Sequence, residues 1–189
     1  PGGGICGISS PGTISPTMDD GAVVAVQLGR PLRSAADVVV RCHLDLPVVT
    51  RVPPLLDDGT PFPTRFWLTC PLAAKRVGRV EGAGGVAAMD RRAARVPEFA
   101  ARLEAAHARY AAERDGVLSP DAHPRPTGGV AGSSGGVKCL HAHYADHAAG
   151  NDNPIGAETA AAIEPLDCTV ACVVEVDEVI VRNPGWIEP

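Results

Sequence analysis

The chain has 189 residues, of which 45% are hydrophobic and 21% charged, an ordinary balance for a globular protein with one sizeable core. The formal net charge of −5 argues against a general nucleic-acid binder, because such a protein needs an excess of Lys and Arg to displace counterions from phosphates. No run of about 18 apolar residues occurs, so the sequence predicts no membrane span. The 21 glycines and 18 prolines predict many loops and short helices and strands.

Residues 1–17 are rich in Gly, Ser, Pro and Thr and show no hydrophobic periodicity. This composition predicts a disordered upstream extension or an expression remnant before a natural start at Met18, with residues 18–189 forming a single domain. No basic stretch precedes an apolar one, so we expect no secretory signal and a cytoplasmic location. In that compartment cysteines stay reduced, and some become metal ligands. The six cysteines are Cys6, Cys42, Cys70, Cys139, Cys168 and Cys172.

Turn residues and hydrophobic periodicity divide the chain into helices and strands. We predict an α+β domain in which a small, mostly antiparallel sheet, from residues about 37–70 and 170–182, is covered by helices from 71–113 and 137–149. In chain order, the predictions are a helix between Asp19 and Gly29, strands at 37–42, 47–52 and 64–70 around an ordered loop at 53–63, helices at 71–82 (capped by Thr69), 86–96 and 97–116, a long loop at 117–136, a helical piece at 158–165 and a strand at 174–181. The helix at 97–116 carries an apolar stripe at three- and four-residue spacing, formed by Phe99, Leu103, Ala106 and Tyr110.

The segment from Gly128 to Gly156 concentrates more chemically capable side chains than any other. A glycine-rich loop leads into a predicted helix that carries a lysine, a cysteine and three histidines. On a helix from 137 to 148, Cys139, His143 and His147 would share one face, because residues four apart lie on neighbouring turns. His141 would point elsewhere.

This spacing suits a metal ion. Zinc prefers a mixture of thiolates and imidazoles and usually takes four ligands in a structural site. We therefore predict a zinc site from Cys70, Cys139 and His143, with Cys42 or His141 completing the set, since Cys42 and Cys70 end predicted strands. The alternative is that the cysteines are small buried hydrophobes and the histidines are ordinary side chains. Burial alone is expected for the pair in the apolar tail, Cys168 and Cys172.

The glycine-rich loop also suits an anion. Its backbone N–H groups, with Gly135 and Gly136, the following helix N-terminus and Lys138, could surround one phosphate or carboxylate. Bases outnumber acids from Arg65 to Arg102, so a basic face that includes Arg65 could contribute. The loop is not a phosphate-binding P-loop, because Cys139 stands where Ser or Thr would bind magnesium. The alternative is a flexible loop that simply requires glycine.

A third reading is nucleophilic catalysis by Cys139 or Cys70. A nearby histidine would activate the thiol, and for Cys139 the helix N-terminus would help. Asp146 or Asn153 could orient the histidine. We assign no catalytic residue on this basis, because almost any protein contains a Cys and a His that could be paired in the same way.

Several blocks of the sequence resemble the bacterial domain-of-unknown-function family numbered 501. They are Arg41–Cys42 followed by Pro47, then DGTPFPTRFWLTCP at 58–71, GGVKCLHAHYA at 135–145 and NPIG at 153–156. The resemblance extends from about Met18 to Cys172. Members often have a glycine in the turn after the first cysteine, where this chain has His43-Leu44-Asp45-Leu46, so the Cys42 block is the loosest match.

The resemblance implies a cytosolic single domain without an established activity. Members are found mostly in actinobacteria, commonly encoded near a septum-formation initiator protein and an exopolyphosphatase, an association that points to cell division or polyphosphate metabolism. The positions that match the motif blocks are Cys42, Cys70, Cys139, His141 and His143.

Three functional hypotheses follow. The first is a zinc-stabilised domain whose glycine-rich loop and basic face bind an anionic small molecule or protein partner. The second is a small metal- or cysteine-dependent enzyme acting on a phosphate-containing substrate. The third is a metal-free protein-interaction module linked to cell division, which predicts separated cysteines and an exposed apolar patch. Four protein ligands would indicate a structural metal site, and three plus water a catalytic one.

Overall fold

The computed structural model describes residues 18–189. Within this part the chain forms six α-helices and two antiparallel sheets, so the predicted α+β class is confirmed. The expectations for residues 1–17, including Cys6, lie outside the described residues. No helix in residues 18–189 is long and apolar enough to cross a bilayer.

A three-stranded sheet forms the first layer. Its strands are β1 (Asp37–Arg41), β2 (Pro47–Arg51) and β3 (Phe66–Leu68), and both neighbours pair antiparallel to the central β2. Four of the five residues of β2 are buried, as expected for a central strand rich in valine. The β1–β2 turn is closed by a 2.9 Å hydrogen bond from the Cys42 N–H to the Leu46 carbonyl.

Helices cover this sheet. They are α2 (Pro71–Gly82), α3 (Gly85–Arg95), α4 (Pro97–Gly116), α5 (Leu140–Ala148) and α6 (Pro154–Ile163). The apolar stripe predicted for α4 is fully buried, and α2 and α4 begin at prolines in the first turn, where the missing N–H costs nothing. The long loop before α5 contains a short 3₁₀ turn, Val130–Gly132.

The first helix and the C-terminal strands form a smaller unit of their own. The helix α1 (Asp20–Leu28) begins at Asp19, whose carboxylate accepts the Ala22 N–H at 2.8 Å, and ends at the left-handed Gly29. The predicted strand at 174–181 is instead a hairpin of β4 (Val173–Val176) and β5 (Val179–Arg182). Asp177 and Glu178 both adopt positive φ, which is the geometry of a tight hairpin turn.

Two sequence-based details are corrected by the structure. The C-terminal strands pair with each other and not with the three-stranded sheet, because the tight turn returns the chain onto itself. Thr69 does not cap α2: Cys70 holds the N-cap position, and the Thr69 hydroxyl is buried without a hydrogen-bond partner.

The core accordingly has two parts. The larger cluster joins the sheet to α2, α4, α5 and α6. The smaller cluster is centred on Val23, Leu46 and Val173, from α1, the β1–β2 turn and β4. Cys42 packs against both clusters and therefore lies where they meet.

Candidate functional site

The helix that carries the candidate ligands begins later than its sequence pattern indicates. It starts at Leu140, and Cys139 is its N-cap with an extended backbone, φ −157° and ψ 118°. Helical four-residue spacing therefore does not govern the direction of the Cys139 side chain. The structure brings Cys139 together with His141, and not with His143.

Glu81, Cys139 and His141 form a group of three candidate ligands at this helix start. Their ligand atoms all lie within 4.8 Å of one another, and each residue is partly buried. Glu81 comes from the last turn of α2, and its Oε2 lies 3.2 Å from His141 Nδ1. Its other oxygen, Oε1, accepts the backbone N–H of Leu140 at 2.6 Å. The group is thus held between α2 and α5.

The hydrogen bonds of His141 determine what its ring can do. Its Nε2 lies 3.0 Å from the Ala74 carbonyl, which can only accept, so Nε2 carries the hydrogen. Nδ1 then faces the Glu81 carboxylate, and a neutral ring would set two acceptors against each other. The Cys139 sulfur foremost, and then the Glu81 charge, raise the pKa of His141 to about 9, against the effect of burial. This position therefore favours a cation, which is either a proton or a metal ion.

His143 lies on the opposite side of α5 and is completely buried. Its Nδ1 is 3.0 Å from Asn153 Oδ1, and its ring is 5.6 Å from the ring of His107. Burial lowers the pKa of His143 to about 4, so the ring is neutral. It belongs to a network in which the Asn153 amide and the Arg109 guanidinium donate to the fully buried carboxylate of Asp146, at 2.8 Å and 2.5 Å. This network joins α4, α5 and α6.

Cys42 and Cys70 also lie apart from Cys139. They line a small apolar cavity together with Cys168 and Cys172, beside the turn between β1 and β2. The five metal ligands predicted from the sequence are therefore divided among three places: Cys139 and His141 lie together with Glu81, Cys42 and Cys70 line this cavity, and His143 lies in the buried network.

Backbone N–H groups in and after the glycine-rich loop already donate to acceptors of the chain itself. The N–H of Val137, which follows Gly136, donates to Asp90 Oδ1 at 2.8 Å, and Gly135 N–H donates to Ser133 Oγ at 3.2 Å. Together with the Glu81 bond to Leu140, these contacts occupy three N–H groups around the helix start. An external anion would compete with the chain's own carboxylates there.

The two basic residues of that prediction are separated. Lys138 is exposed beside the loop. Arg65 is mostly buried, donates to the Val52 carbonyl at 2.8 Å and lies 3.9 Å from the Glu113 carboxylate. The loop itself is anchored by the fully buried Arg114, which donates to the Gly128 carbonyl at 2.6 Å.

Sequence reasoning did not identify Glu81. It lies within the helix predicted at 71–82, and no local pattern connects it with Cys139. One signal could have indicated it: Glu81 is one of the few acids in the segment from Arg65 to Arg102, where bases dominate.

Comparison with curated proteins and with solved structures finds no significant match. A protein family described as "Protein of unknown function (DUF501)" matches residues 38–161, which is more than half of the chain. The matched stretch extends from β1 almost to the end of α6 and contains Glu81, Cys139 and His141. The chain therefore belongs to the DUF501 family.

Proposed function

We propose that this protein is a zinc-binding domain whose ion is held by the Glu81 carboxylate, the Cys139 thiolate and Nδ1 of His141. The observation that carries the proposal is the convergence of these three ligand atoms within 4.8 Å of one another. A thiolate, an imidazole and a carboxylate together are a donor set that zinc accepts.

The surroundings of the group support this assignment. Histidines that bind metals commonly donate their second ring N–H to a backbone carbonyl, as His141 does to Ala74. Ligating carboxylates are in turn held by hydrogen bonds, as Glu81 is by the Leu140 N–H. Both contacts orient their side chains before an ion arrives. The proposed ligand atom, Nδ1 of His141, also binds the proton of the charged ring. Zinc therefore competes with that proton, and zinc binding releases it.

Three protein ligands leave one position of a tetrahedral ion for water or for an external ligand. The side chains of His141 and Glu81 remain 32% and 27% exposed, so this position can be reached from solvent. An oxygen of an anionic small molecule or of a partner's carboxylate or phosphate suits a zinc ion there. In this proposal the anion binds the metal, with Lys138 nearby in sequence, and not the N–H groups of the loop.

The same open position favours, as a second candidate, an enzyme that acts on a phosphate-containing substrate, because a bound zinc ion polarises a phosphoryl oxygen and activates water. The third hypothesis, a metal-free interaction module in cell division, predicted separated cysteines. Four of the five described cysteines instead line one cavity.

The first test is metal content, measured by elemental mass spectrometry on protein purified without chelator or a nickel column. Cys139→Ser and His141→Ala should each lower the zinc content by one ion per chain. Glu81→Gln keeps the acceptor for Leu140 but replaces a charged ligand by a neutral amide, and should weaken zinc affinity by at least about 10-fold, because the loss of a residue that only supports a ligand already costs about that much. Loss of phosphate-ester hydrolysis in His141→Ala, where the zinc-loaded wild type shows it, would support the enzyme.

The matched control is His123→Ala, which removes an exposed histidine of the long loop and should leave zinc content unchanged. Zinc content equal to wild type in both Cys139→Ser and His141→Ala would rule out this site. Retention in Cys139→Ser with loss in His143→Ala would instead point to the buried network around Asn153.

A further inference from the structure

Four cysteines from three separate parts of the chain line one cavity. Cys42 follows β1, Cys70 links β3 to α2, and Cys168 and Cys172 lie in the segment between α6 and β4. The cavity has a volume of about 10 Å³, which is the scale of one water molecule or one ion. The other lining residues are mainly apolar, with leucines and prolines on most sides.

Two of the four sulfur atoms accept hydrogen bonds from side-chain N–H groups. The indole Nε1 of Trp186 donates to Cys168 Sγ at 3.4 Å. The amide Nε2 of Gln27 donates to Cys172 Sγ at 3.6 Å. Cys70 is the N-cap of α2, where the first backbone N–H groups of the helix lack helical partners. Such donors favour the thiolate, the form in which cysteine binds metals, but burial raises the pKa of Cys70 to about 11 and also raises the pKa of Cys172, so the arriving ion has to displace the thiol protons.

The cavity lies where the two hydrophobic clusters meet. Cys42 packs against both hydrophobic clusters, Cys168 against the larger one and Cys172 against the smaller one. The four cysteines therefore lie across the boundary between the main core and the unit formed by α1 and the C-terminal hairpin. A single ion bound by all four would link these two parts directly.

We propose that Cys42, Cys70, Cys168 and Cys172 form a second, structural zinc site, in which four thiolates hold one ion at the boundary between the two hydrophobic clusters. This site is independent of the Glu81–Cys139–His141 site and requires no open coordination position. The small cavity favours a single ion over an iron–sulfur cluster.

Binding requires a small rearrangement. Zinc–sulfur bonds of about 2.3 Å place the sulfurs roughly 3.8 Å apart. Among the described residues, only the Glu81–Cys139–His141 group already has three ligand atoms within 4.8 Å of one another. The segment 164–172 has no helix or strand, and inward movement of Cys168 and Cys172 would have to preserve or replace the bonds that Asn183 makes to the Ala171 and Cys172 carbonyls. Four thiols lose their protons as the ion binds, and the site then carries two net negative charges.

The experiment compares zinc content by elemental mass spectrometry in the full chain and in three variants. The double variant Cys168→Ser/Cys172→Ser should contain one ion per chain fewer than wild type. Cys139→Ser should lose a different ion and keep this one, and Cys6→Ser, the sixth cysteine, should match wild type. In cobalt-substituted protein, the strong thiolate-to-cobalt absorption should persist in Cys139→Ser and largely vanish in the double variant.

Two further measurements keep the proposal testable where the double variant does not fold. Cys172→His replaces one zinc ligand by another and should retain the ion. In wild-type protein, alkylation followed by mass spectrometry should find these four thiols protected until a chelator removes the metal. Equal alkylation with and without chelator, wild-type zinc content in the double variant, or disulfides among the four in the purified protein would each overturn the proposal.

The outcomes separate the two sites. One ion that is lost in the double variant but kept in Cys139→Ser and His141→Ala supports the four-thiolate site and contradicts the proposed function. One ion with the opposite pattern supports the proposed function and contradicts the four-thiolate site.

Discussion

At the scale of single residues, the Tyr110 hydroxyl provides a hydrogen-bond acceptor for backbone N–H groups at the start of the edge strand β3. The Tyr110 hydroxyl lies in the core and accepts the backbone N–H groups of Arg65, at 2.5 Å, and Phe66, at 3.3 Å. Phe66 is the first residue of the edge strand β3, and Arg65 directly precedes it. A buried N–H without an acceptor costs free energy, so the Tyr110 hydroxyl stabilises the fold by accepting these two groups.

Tyr110→Phe should therefore lower the free energy of unfolding by about 1–3 kcal/mol, because it leaves buried N–H groups without an acceptor. Urea-induced unfolding followed by circular dichroism measures this change. Burial raises the pKa of Tyr110 to about 12, above the ordinary value of about 10. Its stabilising effect is complete below pH 10 and is lost as the pH rises towards 12, so wild type should lose more stability over that interval than Tyr110→Phe.

The matched control is Tyr144→Phe. The Tyr144 hydroxyl donates to Glu164 Oε1 at 2.9 Å, and Glu164 is exposed, so water can replace the lost partner. We expect a smaller loss of about 0.5–1 kcal/mol. Equal losses in the two variants would contradict the role assigned to the edge of β3.

At the scale of helices, the packing of α5 on α6 depends on one glycine. A Cβ at Gly156 would collide with the carbonyl oxygen of His143 and with the Cβ of His147. The start of α6 is tied to α5 as well, since Asn153 Oδ1 accepts the Gly156 N–H at 3.0 Å while also contacting His143. The two helices thus meet closely enough to bury His143 completely.

Gly156→Ala should destabilise the protein by about 1–3 kcal/mol, because the added methyl group forces the helix backbones apart. Thermal unfolding of the variant measures this effect. The matched control is Gly78→Ala in α2, where a Cβ would meet no atom within 4 Å. That substitution should stabilise by about 0.5–1 kcal/mol, since alanine loses less backbone entropy in a helix than glycine does. A Gly156→Ala variant as stable as wild type would show that the two helices separate without cost.

At the scale of the whole molecule, the family match covers most of the larger hydrophobic cluster but only Leu46 of the three buried residues in the smaller one. The matched residues 38–161 include β1–β3 and α2–α5, which supply most of the larger cluster. The helix α1 and the hairpin β4–β5 lie outside the matched stretch and supply Val23 and Val173 of the smaller cluster. Contacts across the boundary include the 2.9 Å bond from Gln27 to the Pro47 carbonyl and the 2.6 Å ion pair between Arg41 of β1 and Asp20 of α1.

Removal of metal should therefore destabilise the β4–β5 hairpin more than the main core. An ion present at about 100 times its Kd stabilises by about 2.7 kcal/mol, so a chelator should lower Tm by roughly 5–10 °C for a chain of this size. In hydrogen-exchange mass spectrometry, the hairpin β4–β5 should lose protection first, while α4 keeps it. An unchanged Tm, or uniform loss of protection over the chain, would contradict a metal that links the two clusters. Zinc-saturated chelator, which has no free capacity to extract the ion, is the control.

Local features of the sequence were sufficient for much of the fold. Prolines and glycines bounded α2 and α4 correctly, because these residues restrict or release backbone dihedral angles wherever they occur. The stripe from Phe99 to Tyr110 identified the buried face of α4, since side-chain periodicity directly reports burial. The motif blocks around Cys70 and Cys139 pointed to the family that the match over 38–161 then established.

The partners of the candidate ligands were decided only by the tertiary structure. A periodic pattern shows which face of a helix is buried, but it does not show which distant element lies against that face. Glu81 reaches Cys139 because α2 packs beside the start of α5, and Cys139 turns to His141 because its backbone is extended. Cys168 and Cys172, which looked like simple core residues, meet Cys42 and Cys70 because the chain returns from α6 past the β1–β2 turn. Sequence alone determined most of the helices and strands and the reactive cysteines and histidines, whereas long-range packing decided which side chains, Glu81 included, form a site.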